Sequence, residues 1–214
     1  MELNEKSNIE NDESNHEEFS FYKQDFEDAI RHGICVSRLS QAIARELGLS
    51  DDQVNQIAVA GMLHDIGKLK ISPYIYGRTR KTMKIEDMRY VRLHAKLGSE
   101  IVREKGYGDE IGDIILYHHE NYDGSGYPYC LSGEEIPLGS RIIRVSDVFI
   151  ALISDRTYRK AFDPHTALSM VIDEVRHFDM KVFLAFQRII NTTDVLDDIL
   201  QILKEFHIYT EEGI

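Results

Sequence analysis

Two dipeptides, His64-Asp65 and His118-His119, and three single residues, His32, His94 and Asp147, carry the side chains from which a transition-metal centre can be built. Neutral imidazole and carboxylate suit iron, manganese or zinc, and helical bundles assemble such sites from facing helices. Adjacent pairs of this kind are costly to bury unless something coordinates them, because each polar side chain otherwise needs its own partner. Neighbours about 100° apart on a helix could serve two different metals, or one metal where a helix end frays. His16, His165, His177 and His207 have no such company and read as surface residues.

Two charged residues extend the set. Lys68 closes the stretch Gly61-Met62-Leu63-His64-Asp65-Ile66-Gly67-Lys68, one turn after His64. If the helix continues, Lys68 shares its side with His64 and can meet a phosphate oxygen; the plainer alternative is a solvated lysine favoured by the helix dipole. Asp28 lies four residues before His32, on the same helix face. It could supply a carboxylate to a third metal, or simply compensate the dipole at a helix start.

The elements that must position these residues read as helices. Val36, Leu39, Ile43 and Leu47 form an apolar stripe stopped by Gly48. Ser50-Asp51-Asp52-Gln53 reads as a capping box opening a second helix, whose Val54, Ile57, Ala58 and Gly61 face leads into His64-Asp65. Lys70 to Lys84 is basic and irregular, as a loop would be, and a further helix is expected from Ile85 to Lys105, ended by Gly106. Another spans Asp109 to His119, and the glycine- and proline-containing stretch from Asn121 to Gly139 reads as an ordered loop. Helical spacing resumes over Arg141 to Leu152, Asp163-Pro164 caps the next helix, and Asp179 and Asp194 are placed to cap the last two. No segment shows strand alternation. The expected fold is all-α, a compact orthogonal bundle.

With 214 residues, 43% of them apolar, the chain can bury one core. Residues 1–18 are acidic and polar, the composition of a disordered leader, which leaves 19–214 as a single domain. A net charge of −12 argues against nucleic-acid polymers and anionic membranes as partners, while metals and arginines inside one pocket can still attract a small anion. No apolar run is long enough to span a bilayer and the N-terminus lacks a secretory pattern, so a cytoplasmic location is expected. Cys35 and Cys130 have no metal-site spacing and read as plain thiols.

Four strings, HDIGK at 64–68, HHENYDGSGYP at 118–128, IPLGSRIIRVSD at 136–147 and SDRTYRKAFDP at 154–164, stand in an order and spacing that resemble one family. It is the HD-GYP subgroup of the HD-domain phosphohydrolases, bacterial cyclic di-GMP phosphodiesterases, and the resemblance covers about residues 26–190. It implies an HD-domain bundle with a GYP-containing loop and additional C-terminal helices. It also implies that His32, His64, Asp65, His94, His118, His119 and Asp147 bind two divalent ions, iron or manganese, with Asp65 bridging them. Asp28 stands where some members place a glutamate that helps hold a third ion. By the same resemblance Lys68 contacts the scissile phosphate, Tyr127 reaches the ligand, and Arg156 and Arg159 hold phosphate oxygens. A hydroxide shared by two metals is a nucleophile near neutral pH, and the ions neutralise charge on the phosphoryl oxygens.

The chain departs from the family at Ile150, where a second acidic residue is common, at Ala95, where proline is usual, and at Thr157. Members usually carry an upstream sensor domain, so regulation is expected to come from a protein partner or from substrate supply. The implied reaction opens cyclic di-GMP at a 3′ phosphodiester bond, giving pGpG, with or without a further step to GMP. Two other readings stay open: a receptor that binds the dinucleotide without turnover, and an HD hydrolase acting on another nucleotide.

Overall fold

The computed structural model describes residues 27–71, 85–156, 159–192 and 194–205, and of 85–88 only the backbone. The expected leader over 1–18, most of the Lys70 to Lys84 loop and Thr157 therefore lie outside the described residues. Within them the chain is helical, and its one β-type pairing is the single bridge between Arg156 and Arg159.

Helix α1 covers 27–46. Its stripe Val36, Leu39 and Ile43 is fully buried, and Gly48 ends it in the left-handed region (φ 75°) with its N–H donated to the Arg45 carbonyl. Helix α2, Asp51–Leu63, opens with the capping box expected from its sequence: Ser50 Oγ accepts from Gln53 N, and Gln53 Oε1 accepts from Ser50 N at 3.2 Å. Its buried face is Val54, Ile57, Ala60 and Gly61, so Ala60 rather than Ala58 completes the stripe. The helix stops at Leu63. Residues 64–67 form a turn, and α3 is one helical turn over 68–71.

The single helix expected from Ile85 to Lys105 is two, α4 (Ile85–Arg92) and α5 (His94–Glu104), broken at Leu93. Helix α6, Asp109–Leu116, ends three residues before the expected His119, so the His118-His119 pair sits in the turn beyond it. After the loop, which holds one 3-10 turn at Gly133–Glu135, α7 runs Leu138–Leu152, starting three residues earlier than its sequence spacing suggested. Helices α8 (Pro164–Asp173), α9 (Met180–Thr192) and α10 (Val195–Glu205) follow. Asp163 caps α8 by accepting from Thr166 N, and Asp179 accepts from Lys181 N at 2.8 Å at the start of α9.

Helix α6 packs against α5, α2 and α7, while α7 also carries α8 and α9. Phe149 on α7 meets Phe186 on α9 edge to face at 5.1 Å, both fully buried. Burying each such ring contributes about 1.5–3 kcal/mol. Ile150, fully buried on the same helix, belongs to this core, so an apolar residue is what its surroundings require. Cys35 is buried, which pushes its thiol up to about 12 and leaves it an inert packing group. Among the described residues no helix is long and apolar enough to cross a membrane.

Candidate metal centre

The two adjacent pairs are delivered by helix ends. His64-Asp65 follows α2 and His118-His119 follows α6, and the members of each pair share a ligand group. His94 opens α5 at the break after α4, His32 projects from α1, and Asp147 from α7. Gly67 permits this convergence: a Cβ there would lie 2.0 Å from the His94 carbonyl oxygen, so only glycine lets the 64–67 turn press against the α5 backbone.

Three histidines share one orienting device. His64 Nδ1 lies 2.8 Å from the Gly61 carbonyl, His94 Nδ1 2.6 Å from that of Val91, and His118 Nδ1 2.6 Å from that of Ile115, each three residues back. A carbonyl can only accept, so Nδ1 carries the hydrogen and Nε2 presents a lone pair. Those lone pairs converge: His94 Nε2 is 3.3 Å from His118 Nε2 and 3.1 Å from His119 Nε2. Lone pairs at such distances repel unless a cation lies among them. His64 Nε2 and His32 Nδ1 are buried without a hydrogen-bond partner among the described residues.

The ligand atoms fall into overlapping groups, each within 4.8 Å: His32, His64 and Asp147; His94, His118 and His119; and His64, Asp65 and His118. Asp65 joins them, its Oδ2 lying 3.5 Å from His64 Nε2 and its Oδ1 3.4 Å from His94 Nε2. His32 Nε2 lies 3.0 Å from Asp147 Oδ1. The donor set, imidazole lone pairs with the Asp65 carboxylate placed between His64 and His94, fits divalent transition-metal ions.

The electrostatics keep most of these groups in ligating form. Burial drives His118 well below its ordinary value, aided by the neighbouring imidazoles, and lowers His119 to about 3. Burial alone would raise Asp65, but Lys68, His64 and His94 hold it well below the usual carboxylate range. Asp147 likewise resists burial through the His32 hydrogen bond and the His64 ring, which at 3.7 Å is too long for a hydrogen bond but close enough to stabilise charge. His64 moves the other way: burial lowers it, yet Asp65 and Asp147 prevail and raise it.

The remaining expected residues divide. Lys68 Nζ donates to Asp65 Oδ2 at 2.5 Å, reaching it from the new turn α3 and not along a continued α2. Tyr127 stacks on His119 with centroids 4.7 Å apart, and the Arg92 guanidinium lies 4.9 Å from the Tyr127 ring centre. Arg156 stands near enough to lower the Lys68 pKa, though Asp65 outweighs it and burial. Arg159 differs from its expected phosphate contact: Nη1 and Nη2 donate to the carbonyls of Ala151, Leu152, Ser154 and Lys160, closing the C-terminus of α7. Asp28 pairs with Arg31 and is outside the ligand groups.

Glu120 and Arg144 had no role read from the sequence, whereas Gly126 was expected to give the loop its freedom. Glu120, buried, accepts from Tyr129 N at 2.7 Å and Leu131 N at 3.1 Å and so ties down the GYP loop. Gly126 lies so close to Glu120 and Asn121 that a Cβ would be 2.3 Å from Asn121 N. Arg144 Nε donates to Asn121 Oδ1 at 2.9 Å. Arg144 had a signal, since it precedes Asp147 by one turn and must share its face.

Comparison with known proteins agrees with this geometry. A cyclic di-GMP phosphodiesterase of Pseudomonas aeruginosa is 36% identical over 156 residues, 72% of this chain and 37% of the relative. A 3′3′-cGAMP-specific phosphodiesterase of Vibrio cholerae is 35% identical over 162 residues, covering 75% of this chain and 35% of the relative. The chain thus spans about a third of the length of these curated relatives. Among solved structures, a cyclic GMP-AMP specific phosphodiesterase of V. cholerae superposes with a TM-score of 0.61 at 17% identity, covering 82% of this chain and 51% of that one. The phosphodiesterase PgpH HD domain of L. monocytogenes gives 0.56 at 20% identity, covering 81% and 93%. These likenesses share the all-helical fold, the family model for the HD domain matches residues 22–182, and the chain belongs to the HD domain family.

Proposed function

We propose that this chain is a metal-dependent phosphodiesterase of cyclic dinucleotides, with cyclic di-GMP as substrate and iron or manganese as its ions. One observation carries the reading: the Asp65 carboxylate turns one oxygen toward His64 and the other toward His94, between two groups of ligands. His32, His64 and Asp147 would hold one ion, His94, His118 and His119 the other, and Asp65 both. Ions so held would supply an activated water near neutral pH and neutralise phosphoryl charge.

The chain's own residues do the rest. Carbonyl contacts at Nδ1 fix three imidazoles, so no reorganisation is needed when substrate arrives. Lys68, half exposed at its side chain and held beside Asp65, can donate to a phosphoryl oxygen. Tyr127, supported by His119, offers a flat face to a sugar or base. Hydrolysis adds one water: its oxygen bonds to phosphorus, the bond to the 3′ oxygen breaks, and that oxygen takes a proton, leaving linear pGpG. Repetition on pGpG gives GMP.

Relatives named for cyclic di-GMP and for 3′3′-cGAMP both support the substrate class and make the base a question for a substrate panel. The test is turnover of cyclic di-GMP, 3′3′-cGAMP and cyclic di-AMP by anaerobically purified, metal-quantified protein. Preferred hydrolysis of cyclic di-GMP supports the proposal. Preference for another dinucleotide corrects the substrate, and binding without turnover would make the chain a receptor.

A further inference from the structure

Six arginines are partly buried among the described residues: Arg31, Arg103, Arg141, Arg144, Arg156 and Arg159. The first three pair with carboxylates, and Arg159 is used by the α7 carbonyls. Arg144 and Arg156 have no carboxylate within ion-pair distance among the described residues. In a chain of net charge −12 this is a notable gap. Arg144 precedes Asp147 by three residues on α7, and Arg156 is near enough to act on Lys68; a partly desolvated guanidinium in such a place is ready for an anion from outside.

They act on different groups. Arg156 acts on Lys68, next to Asp65. Arg144 acts on Tyr127 and His119, and Arg92 lies over the same tyrosine ring. Arg144 is also built in place. Its Nε donates to Asn121 Oδ1, Asn121 Nδ2 donates to Ser125 Oγ at 2.9 Å, and Ser125 Oγ donates to Asp123 Oδ1 at 2.6 Å. Anchoring through Nε leaves the two terminal nitrogens as a fork, the arrangement that grips a phosphate through two oxygens. Asn121 is itself buried, so the anchor is rigid.

A cyclic dinucleotide carries two phosphates on opposite sides of its ring, of which one is hydrolysed at a time. We infer that Arg144, anchored by Asn121, binds the phosphate that is not being cleaved, on the Tyr127 side of the metal centre. This rests on the phosphodiesterase reading. It makes Arg144 a substrate-binding residue that selects two-phosphate ligands over simple diesters.

The test compares cyclic di-GMP with bis(p-nitrophenyl) phosphate, which has one phosphate, in wild type, Arg144→Gln and Arg144→Lys, with metal content measured in each. The inference expects kcat/KM for cyclic di-GMP to fall about tenfold more than for the simple diester in Arg144→Gln, chiefly through KM, since a lost charged hydrogen bond is worth about a factor of ten or more. Lysine, a point charge without the fork, should restore part of the loss. An unchanged ratio between the two substrates, or a loss confined to kcat, overturns the inference. If Arg144→Gln does not fold, Arg144→Lys decides, because loss of the fork alone must lower the ratio. Wild type that cleaves the simple diester but not cyclic di-GMP overturns the cyclic di-GMP reading, and this inference with it.

Discussion

His94 Nε2 and His118 Nε2 face each other across 3.3 Å although each ring has its hydrogen committed to a backbone carbonyl through Nδ1. Two lone pairs held this way are a folded-state cost that a cation removes. Removing metal with a chelator should therefore lower Tm, and restoring manganese should raise it again; at about 100 times Kd the gain is about 2.7 kcal/mol. His94→Ala, which relieves the repulsion, should narrow the gap between the metal-free and metal-loaded melting temperatures. An equal gap in the variant would refute the account.

Asp65→Asn keeps shape but loses the charge that serves both ligand groups. Outer partners of metal ligands cost about 10–100-fold when removed, so the shared ligand should cost more than about 100-fold in turnover. Metal analysis should show fewer ions per chain. Full metal content with normal turnover would contradict the bridging role.

Gly67→Ala places a methyl 2.0 Å from the His94 carbonyl oxygen and 2.6 Å from Gly98 N, both backbone atoms that cannot swing aside. Overpacking of this kind costs about 1–3 kcal/mol. Denaturant unfolding should register that loss, and metal affinity should fall too, because His94 must move.

Arg156→Ala and Arg159→Ala should separate cleanly. Arg159 satisfies the α7 C-terminus, so its removal should destabilise the fold by about 1–3 kcal/mol. Arg156→Ala should leave Tm nearly unchanged and raise KM. Thermal melts beside substrate titrations distinguish the two, and a reversed pattern would exchange their roles.

Acidification should empty the two ligand groups in order. His64 is raised above its ordinary 6.5, whereas His118 lies well below and His119 near about 3. A raised value means that protons claim His64 first as pH falls and compete with the ion held by His32, His64 and Asp147. Ions per chain after dialysis from about pH 8 to about pH 5 should fall by the ion at His32, His64 and Asp147, while the ion at His94, His118 and His119 persists to lower pH. Simultaneous release would show that the groups do not titrate separately.

The helices and seven of the proposed ligands were legible because their signals are local. The Ser50 capping box, the Gly48 stop and the Asp163-Pro164 start all appear where the residues call for them. The break at Leu93 and the early stop of α6 were not legible, since apolar spacing runs on through both. Their cause is tertiary: each break aims a histidine at the cluster. Lys68 shows the same limit, because the spacing that put it on the His64 side assumed a helix that ends at Leu63.

The sequence by itself determined the fold class, the ligand chemistry and the family resemblance, because periodicity, caps and the His/Asp strings are written along the chain. Only the tertiary structure decided which candidate ligands share a group, that the two Asp65 oxygens face different histidines, and that Arg159 closes a helix while Arg144 is anchored on Asn121. Those are matters of direction and distance between residues as far apart as His32 and Asp147, and they exist only once the core formed by α5, α6 and α7 has brought the helix ends together.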